Sequence, residues 1–294
     1  MGKAFYDQDE ESRQLFADAG RIVGYDLARL CFEGPTEQLN LTAHTQPALL
    51  TVSVIALRML QRTGLQPSAV AGHSLGEYTA LVAAGALAFA DAVDLVRARG
   101  RYMQDAVEEG RGLVCAILGV DRHIVEDACH EASTLGVVSP ANFNAPGQIV
   151  IAGEKAAVEE AIRLVKIKGC RRVIPLAVSV PVHTSLMAPA AERLSADVMR
   201  VPLKDLEVPI INNAEARPLM KAVHVRESLI RQLASAVLWE DTVRVLRDMG
   251  VKTLIEIGPG TVLSGLAKRI APELRLLNVQ DPASLSSTIE ALAA

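Results

Sequence analysis

Ala69-Val70-Ala71 is a short apolar run that passes directly into Gly72-His73-Ser74-Leu75-Gly76 and then into a helix-forming stretch from Glu77 to Ala84. A strand that becomes a helix within five residues needs glycine, because the sharp turn and the close strand-to-helix packing leave little room for side chains. Such a unit belongs to folds in which helices pack on a parallel sheet. It also sets Ser74 at a helix N-terminus, where the helix dipole and the free Leu75 N–H can stabilise a negative oxygen. Gly-x-Ser-x-Gly alone is a weak pattern that an ordinary strand-to-helix turn can share. Its position between an apolar run and a helix makes Ser74 the candidate nucleophile.

The composition agrees with that class of fold. A chain of 294 residues with 50% hydrophobic content can bury one large core, or a core plus a small insert, and is not disordered. Aromatic residues are only 3%, which suits Ala-, Val- and Leu-rich helices on a parallel sheet better than a β-sandwich. A net charge of -4 with interspersed signs provides no general field for nucleic acid. Cys31, Cys115, Cys129 and Cys170 are widely spaced without a metal-binding pattern and read as reduced and buried. The acidic start, with Asp7, Asp9, Glu10 and Glu11, lacks the order of a signal peptide, and no apolar run approaches the ~20 residues of a membrane span. A soluble cytoplasmic protein with no membrane or nucleic-acid partner is therefore expected.

Along the chain, Phe16–Leu30 and Gln46–Leu60 read as helices, with no strand before Pro67. Between about 111 and 177 the order is β-α-β-β-α-β: strand Leu113–Leu118, helix Arg122–Ala132, strands Val137–Phe143 and Gln148–Ala152, helix Lys155–Lys168 and strand Arg172–Ala177. That order is ferredoxin-like. The remainder reads as helix Ala188–Met199, strand Pro209–Asn212, helices Arg226–Ser235 and Trp239–Met249, strand Thr253–Ile257 and helix Val262–Ile270. The predicted organisation is a core of residues 1–110 and 178–294 carrying an insert of residues 111–177.

Ser74 needs a base. His44, His123, His130 and His224 lie in polar helical or loop stretches, and His73 adjoins Ser74 and is expected to point away. His183 differs, because it follows the extended run Val178–Val182 and precedes a helix, where site residues collect. A packed or loop histidine is the alternative. In the helix around Asp91–Met103, Ala92, Leu95, Val96 and Met103 recur on one apolar face, and Arg99 falls on that face. A guanidinium there requires an anion or several acceptors. It either forms a structural ion pair, snorkels to an edge, or grips a substrate carboxylate by two hydrogen bonds.

Taken together, several ordered motifs resemble the malonyl-CoA:acyl carrier protein transacylase family over essentially the whole chain. They are Gly72-His73-Ser74-Leu75-Gly76-Glu77-Tyr78, Ala141-Asn142-Phe143-Asn144-Ala145-Pro146-Gly147-Gln148, Val180-Pro181-Val182-His183-Thr184-Ser185-Leu186-Met187, Glu256-Ile257-Gly258-Pro259-Gly260, and Thr45-Gln46-Pro47-Ala48-Leu49. The resemblance implies an α/β-hydrolase-like core with the ferredoxin-like insert, and a transferase moving malonyl from malonyl-CoA to acyl carrier protein in fatty acid biosynthesis. It implies Ser74 as nucleophile, His183 as general acid/base, Arg99 as binder of the malonyl carboxylate, and Leu75 as a backbone oxyanion donor. It further implies that the main-chain carbonyl of Gln232 orients the histidine. No cofactor or metal is expected beyond the coenzyme A thioester, and a monomer is expected.

The family ordinarily opens with a strand and a Gln-containing loop that this sequence does not show ahead of Met1. The expectation that follows is an exposed apolar seam and a weakly active or weakly stable chain. The rival readings are a serine hydrolase, a free-standing polyketide-synthase acyltransferase or acyl-carrier hydrolase, and an inert carrier-docking scaffold. A hydrolase would place an acid between serine and histidine, and none is evident before His183. The basic run Arg163, Lys166, Lys168, Arg171 and Arg172 is either a carrier-docking face or a solvated one.

Overall fold

The computed structural model describes residues 1–108, 110–176 and 180–293. The first sixty residues fold as helices, in keeping with their sequence, but the reading of one helix over Phe16–Leu30 is corrected. The chain forms Glu10–Val23 and Leu27–Glu33 instead. Gly24 takes φ 85° and ends the first helix, and the Asp26 carboxylate caps the second by accepting from the Arg29 N–H. After the single turn Thr36–Leu39, helix Thr42–Gln61 begins four residues before the expected Gln46, so Pro47 lies inside it.

Among the described residues nine strands follow: β1 (Val70–Ala71), β2 (Gly112–Leu118), β3 (Val138–Ala145), β4 (Gln148–Glu154), β5 (Arg172–Pro175), β6 (Ile210–Ile211), β7 (Pro218–Leu219), β8 (Thr253–Ile257) and β9 (Arg275–Val279). The core strands are parallel where they cross over: β1 lies beside β6, with Val70 opposite Ile210, and β8 lies beside β9. The short β7 closes antiparallel onto β6. Neither β7, β9 nor the final helix Pro282–Ala293 was evident in the sequence. Between β1 and β8 lies a cavity of about 370 Å³ lined by apolar side chains that include Leu57, Val70, Ile255, Ile257 and Leu276. Among the described residues, no strand joins the β1 and β8 sheets.

The stretch from β2 to β5 makes a separate antiparallel sheet in the order β3-β4-β2-β5, backed by helices Arg122–Ala132 and Lys155–Ile167. It has its own apolar core around Ile117, Val125, Phe143, Ile151, Val158 and Leu164. The fold is thus mixed α/β, with parallel core strands and a ferredoxin-like antiparallel unit. The division into 1–110, 111–177 and 178–294 remains a proposal, its second boundary falling on residues outside those described. Two contacts tie the unit to the core near Ser74. Val237 bridges to the edge of β3, with its N–H bonded to Ala141 and its carbonyl to the Phe143 N–H, and Asn144 Oδ1 accepts from His73 Nε2 at 2.8 Å.

β1 turns into helix Gly76–Ala83 around Ser74, and the two glycines of the turn are not equivalent. A side chain at Gly72 would sit 2.0 Å from the Gly76 carbonyl, a backbone collision that nothing can relax. Gly76 has open space around it and does not adopt a positive φ. Close packing therefore requires the first glycine only. Gly72→Ala is expected to cost about 3 kcal/mol or more in urea unfolding. Gly76→Ala is expected to leave the midpoint unchanged or to raise stability by up to about 1 kcal/mol. Equal losses from the two would contradict the packing described.

Candidate active site

Ser74 has φ 51° and His183 φ 59°, a left-handed backbone that non-glycine residues adopt at some cost. In both cases hydrogen bonds hold the turn. The Asn213 side chain accepts from the Ser74 N–H at 2.6 Å and donates to the Gly72 carbonyl at 2.6 Å. Next to His183, the Thr184 hydroxyl donates to the Pro181 carbonyl at 2.8 Å.

These turns bring the two side chains together across 109 residues of sequence, with Ser74 Oγ 2.8 Å from His183 Nε2. On the far side of the ring, Nδ1 lies 2.9 Å from the main-chain carbonyl of Gln232. A carbonyl can only accept, so the proton sits on Nδ1 and Nε2 is free to accept from the serine hydroxyl. His183 is 3% exposed. Burial first, and then the Arg99 charge, push its pKa down to about 3, so the ring is neutral.

Arg99 lies in helix Phe89–Asp105, on the same face as the buried Ala92, Leu95, Val96 and Met103, and is itself 1% exposed. One guanidinium nitrogen donates to Gln46 Oε1 at 2.6 Å, and the other to Ser74 Oγ and to Gln232 Oε1, each at 3.0 Å. Its Nε has no partner among the described residues. The Tyr78 ring lies 5.6 Å below the guanidinium. The snorkelling alternative is therefore set aside, since the charge is inside the core. An ion pair is also set aside: the donors meet neutral oxygens, and the buried Glu77 carboxylate accepts from other groups.

Leu75 precedes the first turn of helix Gly76–Ala83, and its N–H bonds to no described residue. Glu77, 1% exposed, accepts from the Gln232 amide at 2.8 Å and the Asn213 N–H at 3.2 Å. Burial lifts its carboxyl to about 7, against the lowering effect of those hydrogen bonds. His73 turns away from Ser74, as expected, onto Asn144 and the Trp239 ring.

All five residues singled out in the sequence, Ser74, Leu75, Arg99, His183 and Gln232, thus converge. Three neighbours have no role in the sequence reading: Gln46 and Glu77, which stand in its motifs, and Asn213. Gln46 and Glu77 carried the signal that exposed Arg99, a polar residue in an apolar helix. Asn213 carried none, because an asparagine after a strand reads as a turn. Among the described residues no cluster of side chains suits a metal ion, and no helix is long and apolar enough to cross a membrane.

The arrangement contains a hydroxyl between a neutral imidazole and a buried cation, beside an unpaired N–H at a helix start. That is the equipment for acyl transfer to serine from a donor that carries a negative charge. Comparison with known proteins agrees. Residues 1–278 match the model of the family described as acyl transferase domain. The malonyl CoA-acyl carrier protein transacylase of Salmonella typhimurium is 47% identical over 277 residues, covering 94% of this chain and 90% of that protein. The acyl carrier protein S-malonyltransferase structure from Vibrio cholerae is 46% identical, covers 98% of this chain and 94% of its own, and superposes with a TM-score of 0.95. A malonyl-transacylase solved in complex with its type II PKS acyl-carrier protein is 45% identical, covers 99% and 94%, and superposes with a TM-score of 0.96. The chain belongs to the acyl transferase domain family, among the malonyl CoA-acyl carrier protein transacylases.

Proposed function

We propose that this chain transfers a malonyl group from malonyl-CoA to the phosphopantetheine thiol of an acyl carrier protein, through a malonyl-Ser74 ester, in fatty acid biosynthesis. One observation carries the reading: Ser74 Oγ lies 2.8 Å from the neutral His183 Nε2 and 3.0 Å from the buried Arg99 guanidinium. His183 takes the Ser74 proton as Oγ attacks the thioester carbonyl, and the Leu75 N–H meets the developing oxyanion. The carbon–sulfur bond breaks and coenzyme A leaves as the thiol with the proton from His183. The carrier thiol then attacks the ester, passing its proton to His183, which returns it to Ser74. The Gln232 carbonyl keeps the ring in the required tautomer throughout. Arg99 releases Gln232 and Ser74 to grip the malonyl carboxylate by two hydrogen bonds.

No step calls for a metal or a resident cofactor. The carrier partner is supported by the relative solved with its acyl-carrier protein, and the exposed Arg171 and Arg172 offer a basic face to an acidic carrier. The same reading makes the protein a cytoplasmic monomer.

Ser74→Ala is expected to abolish the malonyl adduct seen by intact-protein mass spectrometry after incubation with malonyl-CoA; a surviving adduct would place the nucleophile elsewhere. Arg99→Ala is expected to lower malonyl transfer at least about 10²-fold while sparing acetyl transfer, because a site built for a polar group discriminates strongly. An unchanged malonyl-to-acetyl ratio would remove Arg99 from this role.

The neutral base has a stability signature. The folded pKa of His183 is depressed, so the unfolded chain binds the extra proton, and stability falls as pH drops from the unfolded value of about 6.5 towards 3. Between pH 6.5 and pH 5 the wild type is expected to lose up to about 2 kcal/mol more than His183→Gln, which cannot titrate there. Parallel urea-unfolding curves across that interval would show a base that is charged when folded.

A further inference from the structure

Behind the Ser74–His183 pair lies a carboxylate that the steps above do not use. Glu77 stands in the first turn of helix Gly76–Ala83, and its Oε2 accepts from Gln232 Nε2 and from the Asn213 backbone N–H. Each donor is bonded in turn to the reacting groups. Asn213 brackets the Ser74 turn, with its Oδ1 on the Ser74 N–H and its Nδ2 on the Gly72 carbonyl. Gln232 Nε2 also donates to the Ser74 carbonyl at 2.9 Å, its Oε1 accepts from Arg99, and its main-chain carbonyl holds the His183 Nδ1–H.

Burying a carboxylate among neutral groups is costly, and a residue serving stability alone would be matched by a cation or replaced by an apolar one. The nearest cation, Arg99, spends its donors on Gln46, Ser74 and Gln232 instead. What Glu77 contacts directly is the pair of residues that fixes the nucleophile and its base. The two backbones so fixed are in the left-handed region, and they hold that conformation only where surrounding bonds over-determine it.

We infer that Glu77 is a positioning residue: through Asn213 it holds the Ser74 turn, and through Gln232 it holds the His183 ring and the Arg99 guanidinium. The inference rests on the reading of Ser74 as nucleophile and His183 as its base. Its test needs a probe of serine reactivity that does not depend on malonyl recognition. A small fluorophosphonate is suitable: Ser74 Oγ displaces fluoride at phosphorus, and His183 takes the proton.

The protein and its Ser74→Ala, Glu77→Ala, Glu77→Gln and Asn213→Ala variants are labelled, and malonyl transfer is measured in parallel. Glu77→Ala is expected to lower the labelling rate and kcat at least about 30-fold, with KM for malonyl-CoA within about threefold, and Glu77→Gln, which keeps an acceptor oxygen, to recover to within about fivefold of wild type. The downfield His183 Nδ1–H proton resonance is expected to broaden or shift in Glu77→Ala and to return in Glu77→Gln. Should Glu77→Ala fail to fold, Asn213→Ala decides, with an expected loss of labelling of at least about tenfold. Undiminished labelling in a folded Glu77→Ala or in Asn213→Ala, or a Glu77→Gln variant no better than Glu77→Ala, overturns the positioning role. Labelling that persists in Ser74→Ala instead overturns the reading of the site on which the inference stands.

Discussion

The charge of Arg99 is held inside the core by neutral oxygens, and much of the site's chemistry depends on it. The guanidinium links helix Thr42–Gln61 through Gln46, helix Ala222–Gln232 through Gln232, and the β1 turn through Ser74. Neutral acceptors solvate a cation without neutralising it, so a positive field reaches His183, tempered by the nearby Glu77 carboxyl. That field helps to keep His183 uncharged and, under the proposed reading, favours a serine oxygen that is losing its proton. It also leaves a bound carboxylate more to gain than it would from a residue already paired. Under the proposed reading, the cost of burying the charge in the free protein is what makes malonyl a better ligand than acetyl.

A second constraint is backbone geometry. The close approach at Gly72 lets helix Gly76–Ala83 start directly over β1, which places Ser74 and the Leu75 N–H at the mouth of the turn. His183 arrives on a similarly unusual turn before helix Ala188–Arg200. Neither conformation is favoured locally by serine or histidine, so the packing around them must supply the difference. Asn213 and Gln232, both fully buried, come from segments more than 130 residues beyond Ser74 and carry that load. The site is therefore a tertiary product, although its landmarks are local in sequence.

That difference explains what was legible. The elbow, the ferredoxin-like order of strands and helices, and the buried face of Arg99 are each written within a few residues, as alternation, glycine placement or helical spacing. The helix Arg122–Ala132 and strand Thr253–Ile257 have the bounds the pattern predicts. The one-helix reading of Phe16–Leu30 failed because Gly24 and Asp26 lie together where apolar spacing continues across them. Strand β9 was missed because Arg275–Val279 is short and pairs with β8, a partner that gives it its register. Gln232 entered by resemblance alone, since its carbonyl is a backbone atom and leaves no mark on residue type. Asn213 and Glu77 stayed hidden because their meaning is a relation between distant segments.

The same relation bears on how the antiparallel unit and the core act together. His73, next to Ser74, reaches β3 through Asn144, while Val237, five residues after Gln232, pairs with the edge of β3. The N–H of Leu238 in turn bonds the Asn213 carbonyl, so the segment that carries the histidine-orienting carbonyl and the segment that brackets Ser74 are stitched to each other. A displacement of β3 would pull on both sides of the serine–histidine pair, through His73 on one and through Val237 on the other. The antiparallel unit thus belongs to the scaffold that holds the two left-handed turns at 2.8 Å from Oγ to Nε2.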